Sequence, residues 1–189
     1  SNDGIASPVA SLDRGTKKES MKAIPPMGVV ADLEIIANSP YRFIAAGVGD
    51  TVAKYSAVRD WKLSSIVNGE YYGDYSSALS LMVAEVVLNS AHEIKTRSDV
   101  GIGVLVEALI SSGAAMGITG SSRPASGSEH KFSHALDRLN GSSEDHALHG
   151  EQCGGGTIIM SYLQGEDWRK IKNSLESADC PTTLKGLRI

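Results

Sequence analysis

Before residue 40 the apolar positions follow no single period, whereas beyond it they recur every three to four residues through most of the chain. That spacing predicts helices over 41–54, 56–67, 74–94, 99–116, 127–140, 148–163 and 167–177. Asp74 and Asp167 stand where the third and the last of these would be capped. The run 27–36 (MGVVADLEII) follows Pro25-Pro26 and carries β-branched residues, the pattern of a buried strand. The first 18 residues are irregular, rich in small side chains, and hold nothing that would fold alone. Two polar connectors, 120–127 (GSSRPASG) and 140–145 (NGSSED), separate the later helices. The expected architecture is mainly α: a short strand-containing portion at 1–38, then a helical domain at 39–189.

Composition narrows the function classes. At 189 residues, 41% hydrophobic and only 5% aromatic, the chain can bury a core built mostly of Ala, Val, Ile and Leu, which suits close helix packing. A net charge of −4 supplies no basic face for nucleic acid. The apolar stretch 101–110 is short and interrupted by Glu107, well below the roughly 18 residues of a membrane span, so no membrane insertion is expected. No signal-peptide pattern is visible. Cys153 and Cys180 form neither a CxxC pair nor a disulfide framework; they read as two reduced, packed thiols of a cytoplasmic protein.

The histidines carry the chemistry. Four of the five, His130, His134, His146 and His149, fall within 20 residues. His130 and His134 are four apart in a predicted helix and share a face, while His149 opens the next helix. Such an arrangement can converge on one metal ion, although a helical HxxxH pair also occurs without one. Asp50, after two glycines in AAGVGDTVAK, is the best carboxylate to complete the set, although by type alone an aspartate there more often caps a helix. Asp60 and Asp74 compete without flanking glycines. Lys54, one turn beyond Asp50, could meet a substrate phosphate or pair with Asp50. The start of the 127–140 helix, Ser126-Gly127-Ser128 with Arg123 just before it, could offer N–H groups to an anion. Gly101-Ile102-Gly103 and Gly154-Gly155-Gly156 lack the GxGxxG spacing after a strand and read as close helix packing.

The strings SSRPASGSEHKFSHALD and ALHGEQCGGGTI, with SNDGIASPVAS, GVVADLEII and AAGVGDTVAKYSAVRDWKL in the same order, resemble archaeal-type sn-glycerol-1-phosphate dehydrogenase. That family belongs to the group of 3-dehydroquinate synthase and the iron-containing alcohol dehydrogenases. The resemblance implies the helical metal- and substrate-binding C-terminal domain of that fold. It implies reduction of dihydroxyacetone phosphate to sn-glycerol 1-phosphate with NAD or NADP, by metal-assisted hydride transfer, for archaeal ether-lipid synthesis. Carried over by motif, the zinc ligands fall on Asp50, His130 and His149, the substrate contacts on Asp3, Asp50 and His134, and the catalytic roles on Asp50 and His134. Ser1 and Ser7 match positions that touch the nicotinamide, and His146 and His92 match no ligand. The implied partners are a small phosphorylated triose or glycerol and further copies in a homo-oligomer.

Family members carry a nucleotide-binding domain with a GGG-type loop ahead of SNDGIAS, and continue past the motif at Pro181-Thr182-Thr183 to Leu187. Neither extension is in this sequence, so the expectation is a portion of a longer enzyme. Two other readings stay open. One is glycerol dehydrogenase or 3-dehydroquinate synthase, with the same metal geometry. The other is a non-catalytic helical interaction module that binds no metal, or binds one structurally and closes it off with a fourth protein ligand.

Overall fold

The computed structural model describes residues 3–14, 17–140 and 146–189. One turn of 3-10 helix (Asp3–Ala6) leads into an antiparallel hairpin of β1 (Val9–Arg14) and β2 (Lys17–Lys22), in a register that pairs Val9 with Lys22. The expectation of an irregular start is corrected here. Ala23 N–H extends the ladder to the Pro8 carbonyl, and Ser7 is buried with its hydroxyl on the Met116 sulfur. That long-range contact has no signature in the local sequence. The expected strand at 27–36 is also corrected. Leu33–Ala37 forms a short helix, α1, started by the Asp32 carboxylate accepting from the Ile35 amide. The hairpin does not extend to this segment, so its backbone satisfies itself in a helical turn instead.

The helices follow as α2 (Tyr41–Val52), α3 (Lys54–Asn68), α4 (Asp74–Asn89), α5 (Ala91–Lys95), α6 (Asp99–Thr119), α7 (Ser128–Asn140), α8 (His149–Leu163) and α9 (Trp168–Ser177). The predicted helix 74–94 is divided at Ser90 into α4 and α5. Asp167 caps α9 by accepting from the Lys170 amide, but Asp74 lies inside the first turn of α4 and makes no capping bond. Gly69 and Gly120 end α3 and α6 in the left-handed conformation, which costs a glycine little.

The core forms where α2, α4, α6 and α9 meet, through Ile44, Val48, Val87, Ile102, Leu105 and Leu175. The sequence reading weighed only 101–110 within α6. The whole helix has 21 residues and by length and composition is apolar enough to cross a membrane, with half of its apolar window buried inside this fold. A helix apolar on all sides is also what the centre of a helical core requires.

The crossing of α2 over α8 is closer than side chains allow. A Cβ on Gly150 would lie 1.8 Å from the Ala46 carbonyl oxygen, and one on Gly49 would lie 2.1 Å from the Gly150 oxygen. Gly154 sits against the Gly49 Cα. Gly101 does the same for the start of α6, where a Cβ would come within 2.3 Å of the Glu93 backbone. Gly101 and Gly154, one from each glycine run, therefore serve helix contact.

Candidate metal centre

The α2–α8 crossing sets Asp50, in the last turn of α2, beside His149 and Cys153, which are four residues apart on one face of α8. His130, in the first turn of α7, completes the group. The ligand-type atoms of Asp50, His130, His149 and Cys153 all lie within 4.8 Å of one another. Asp50 is buried and caps nothing, since Ala53 is the residue that opens α3. Lys54 is fully buried, with its ammonium 2.6 Å from the Asp50 carbonyl oxygen and 3.9 Å from the Asp50 carboxylate. It therefore pairs with Asp50.

Hydrogen bonds dictate which nitrogen of each imidazole faces the cluster. The Glu129 carboxylate, completely buried, accepts from Ser56 Oγ at 2.5 Å and from the Gly127 amide at 2.7 Å. It also lies 2.8 Å from His130 Nδ1, which must donate to an ionised carboxylate. When the ring is neutral, as a metal would require, His130 Nε2 carries the lone pair, 3.6 Å from Asp50 Oδ1. At His149 the chain of donors is longer. The Gln152 amide nitrogen donates to Asp137 and to the Ala147 carbonyl, so its oxygen accepts the Ser133 hydroxyl proton at 2.5 Å. Ser133 Oγ must then accept from His149 Nδ1 at 2.9 Å, which puts the lone pair of the ring on Nε2, 3.6 Å from the Cys153 sulfur. Anchoring the far nitrogen of an imidazole is how proteins orient metal-binding histidines.

The electrostatics match a cation's place. Burial pushes the Glu129 carboxyl up, but the His130 ring, Ser56 hydroxyl and Gly127 amide outweigh it and hold it below the ordinary carboxylate value. Burial pulls His130 down, yet Cys153 and Glu129 beside it hold it well above an ordinary imidazole. Burial pushes the Cys153 thiol up, opposed by His130 and reinforced by Asp50 and Glu129. A divalent cation among these groups would supply the positive charge that they collectively favour.

His130, His134 and His149 form one wall of a cavity of about 1260 Å³, whose other walls include Ser7, Val106 and Leu109. The His134 ring lies nearly parallel to that of His149, 6.2 Å away, and stands outside the four-residue cluster. Ser7 is buried and accepts from the Val9 amide. Asp3 opens the 3-10 turn. The side chain of Asp3, and Ser1 altogether, lie outside the described residues. His146, His92, Asp60 and Asp74 take no part in the cluster. The anion site suggested at the start of α7 is corrected. Gly127 and Ser128 donate their amides to Glu129 and Asp60, and Arg123 is held by Glu70 at 2.6 Å.

Sequence reasoning missed Glu129, Ser133 and Gln152, and it took Cys153 for a packed thiol. Cys180 fits that description, with its sulfur on the Ala45 carbonyl. A signal for Cys153 was present: its spacing from His149 is the same four residues that links His130 to His134.

Against known proteins, the sequence model of the iron-containing alcohol dehydrogenase family matches residues 1–40. Over all 189 residues the chain is 55% identical to glycerol-1-phosphate dehydrogenase [NAD(P)+] of Pyrococcus furiosus. It is a relative of the glycerol-1-phosphate dehydrogenases. Those of Pyrococcus abyssi and Methanococcoides burtonii are 53% and 51% identical, again along the whole chain. The chain spans about half the length of these relatives, 54%, 54% and 52%. The mainly helical fold with its short hairpin agrees with the helical domain of the iron-containing alcohol dehydrogenase fold.

Proposed function

We propose that this chain is the metal- and substrate-binding part of an NAD(P)-dependent glycerol-1-phosphate dehydrogenase, acting on dihydroxyacetone phosphate at a zinc ion held by Asp50, His130 and His149. The observation that carries this reading is the convergence of three ligand-type side chains from three helices, two of which, His130 and His149, line a cavity. The donor set fits the ion. Ligand atoms about 2.0–2.1 Å from zinc and at tetrahedral angles lie about 3.4 Å apart, and His130 Nε2 and Asp50 Oδ1 are 3.6 Å apart.

When bound, the metal supplies Lewis acidity to the substrate's carbonyl oxygen. The residues of the chain do the rest. Glu129 and the Ser133–Gln152 pair hold the two imidazoles in one tautomer. His134, a cavity-wall residue beside His149, binds a substrate hydroxyl and holds a proton there. Apolar side chains such as Leu109 and Ile110 keep water from the hydride path. Asp3 is assigned to the substrate, and Ser1 and Ser7 to the nicotinamide. We further assign the protein to the cytoplasm and to a homo-oligomer. The relatives' names and the identity along the whole chain favour this substrate over those of glycerol dehydrogenase and 3-dehydroquinate synthase.

One observation favours a second reading, a closed structural metal: Cys153 offers a fourth donor. The cavity beside His130 and His149 speaks for the catalytic one. Steady-state kinetics of the full-length protein, with zinc present and after chelation, separates the two. The expected result is dihydroxyacetone phosphate reduction that is lost with the metal and restored by zinc. Activity that survives complete metal removal would overturn the proposal.

A further inference from the structure

We infer that Cys153 is a fourth protein ligand of this metal, a thiolate bound at rest alongside Asp50, His130 and His149. The inference rests on the metal-centre reading above and adds a ligand to it.

Four features carry it. First, position: Cys153 follows His149 by one helical turn on α8, so both side chains leave the helix toward the same point. Second, aim: its sulfur is 3.6 Å from His149 Nε2 and 3.9 Å from Nδ1. It lies nearer Nε2 than Nδ1, the nitrogen held by Ser133. Third, distance: a nitrogen about 2.0–2.1 Å and a sulfur about 2.3 Å from the same tetrahedral ion lie about 3.6 Å apart, which is the separation found. Fourth, surroundings: Cys180 belongs to the hydrophobic core and its thiol meets only backbone carbonyls, those of Ala45 and Ala178. Cys153 is completely buried in the cluster of Asp50, His130 and His149.

The two sides of the cluster then have different duties. Asp50 and Cys153 are buried behind it, while His130 and His149 reach the cavity. The cavity side would stay open to a substrate oxygen with Cys153 in place, because catalytic zinc sites sometimes expand to five ligands. A sulfur donor also tilts the site toward zinc over harder cations that prefer all-oxygen ligands.

The test uses the full-length protein loaded with cobalt(II), whose spectrum separates two questions. Visible d–d bands with stoichiometric uptake report that the metal centre exists. A near-ultraviolet sulfur-to-cobalt charge-transfer band reports that a thiolate is bound. The expected result is both sets of bands in the unaltered protein. Cys153→Ala should still take up cobalt, at least about tenfold more weakly, and lose only the charge-transfer band. Cys180→Ser should keep it. Stoichiometric cobalt without the band, or a band that survives Cys153→Ala, overturns the role of Cys153 and leaves the metal centre standing. No cobalt uptake at all overturns both. Should Cys153→Ala not fold, X-ray absorption of the unaltered zinc protein decides, with one sulfur at about 2.3 Å expected and a shell of nitrogen and oxygen alone against it.

Discussion

His130 and His134 show how far spacing carries at the scale of single residues. Both project from one face of α7, and His130 has its far nitrogen on a buried carboxylate and its near one toward Asp50. In the full-length protein, His130→Ala is expected to leave almost no zinc after dialysis. His134→Ala should keep its zinc while KM rises and kcat falls. Elemental analysis beside steady-state kinetics checks this, and equal zinc loss in both would put His134 among the ligands. Glu129→Gln keeps the shape of the side chain but removes the charge that holds His130 Nδ1–H. The expected loss is about 10–100-fold in zinc affinity, the usual range for an orienting partner, read by competition with a chelating dye. Unchanged affinity would make Glu129 a packing residue.

At the scale of elements, the site depends on two helices approaching through glycine. Gly150→Ala would drive a methyl into the Ala46 carbonyl, so α8 must move off α2 and carry His149 and Cys153 away from Asp50. Overpacking typically costs about 1–3 kcal/mol, and rigid backbone on both sides puts this variant at the upper end. Gly103→Ala is the contrast. Its Cβ would meet only the Leu33 side chain, at 3.9 Å, and alanine is favoured over glycine inside a helix by about 0.8–1.0 kcal/mol. Urea unfolding should show the first variant destabilised and the second slightly stabilised.

Two connectors are also tied together. Arg123 clasps Glu70 through Nε and Nη2, at 2.7 and 2.6 Å, and with Ser64 holds that carboxyl below its ordinary value. A carboxyl whose folded pKa is depressed adds stability above its unfolded value, near 4.3 for glutamate, and loses it as pH falls through the folded value. The pair is partly exposed, so Glu70→Gln should cost under about 1 kcal/mol at neutral pH. That difference should vanish in strong acid, as thermal unfolding across pH would record.

At the scale of the whole molecule, a metal at the proposed site would couple helices that are distant in sequence. Asp50, His130 and His149 come from α2, α7 and α8, so an ion that binds only the folded arrangement stabilises all three together. Free zinc at 100 times its dissociation constant should add about 2.7 kcal/mol, seen as a rise in Tm that a chelator reverses. Asp50→Asn should abolish most of the rise. A zinc-induced shift of equal size in that variant would place the metal elsewhere.

The sequence by itself determined where the helices run, because their apolar period is a local property. It also determined which residue types could meet a metal: Asp50, His130 and His149 were legible from their chemistry and from the family strings around them. It misjudged what depends on distant contacts. Ser7 and the hairpin beside it lie against α6, and the 27–36 segment has no sheet to join. Lys54 was ambiguous until its burial settled it against Asp50. The glycine crossing of α2 and α8 and the placing of α7 across α8 were decided only by the tertiary structure. Those contacts turned Glu129, Ser133 and Gln152 into the partners of two imidazoles and moved Cys153 from the core to the cluster. The physical reason is that a ligand's spacing along a helix is set by 3.6 residues per turn, whereas the meeting of ligands from three helices is set by how closely their backbones can approach.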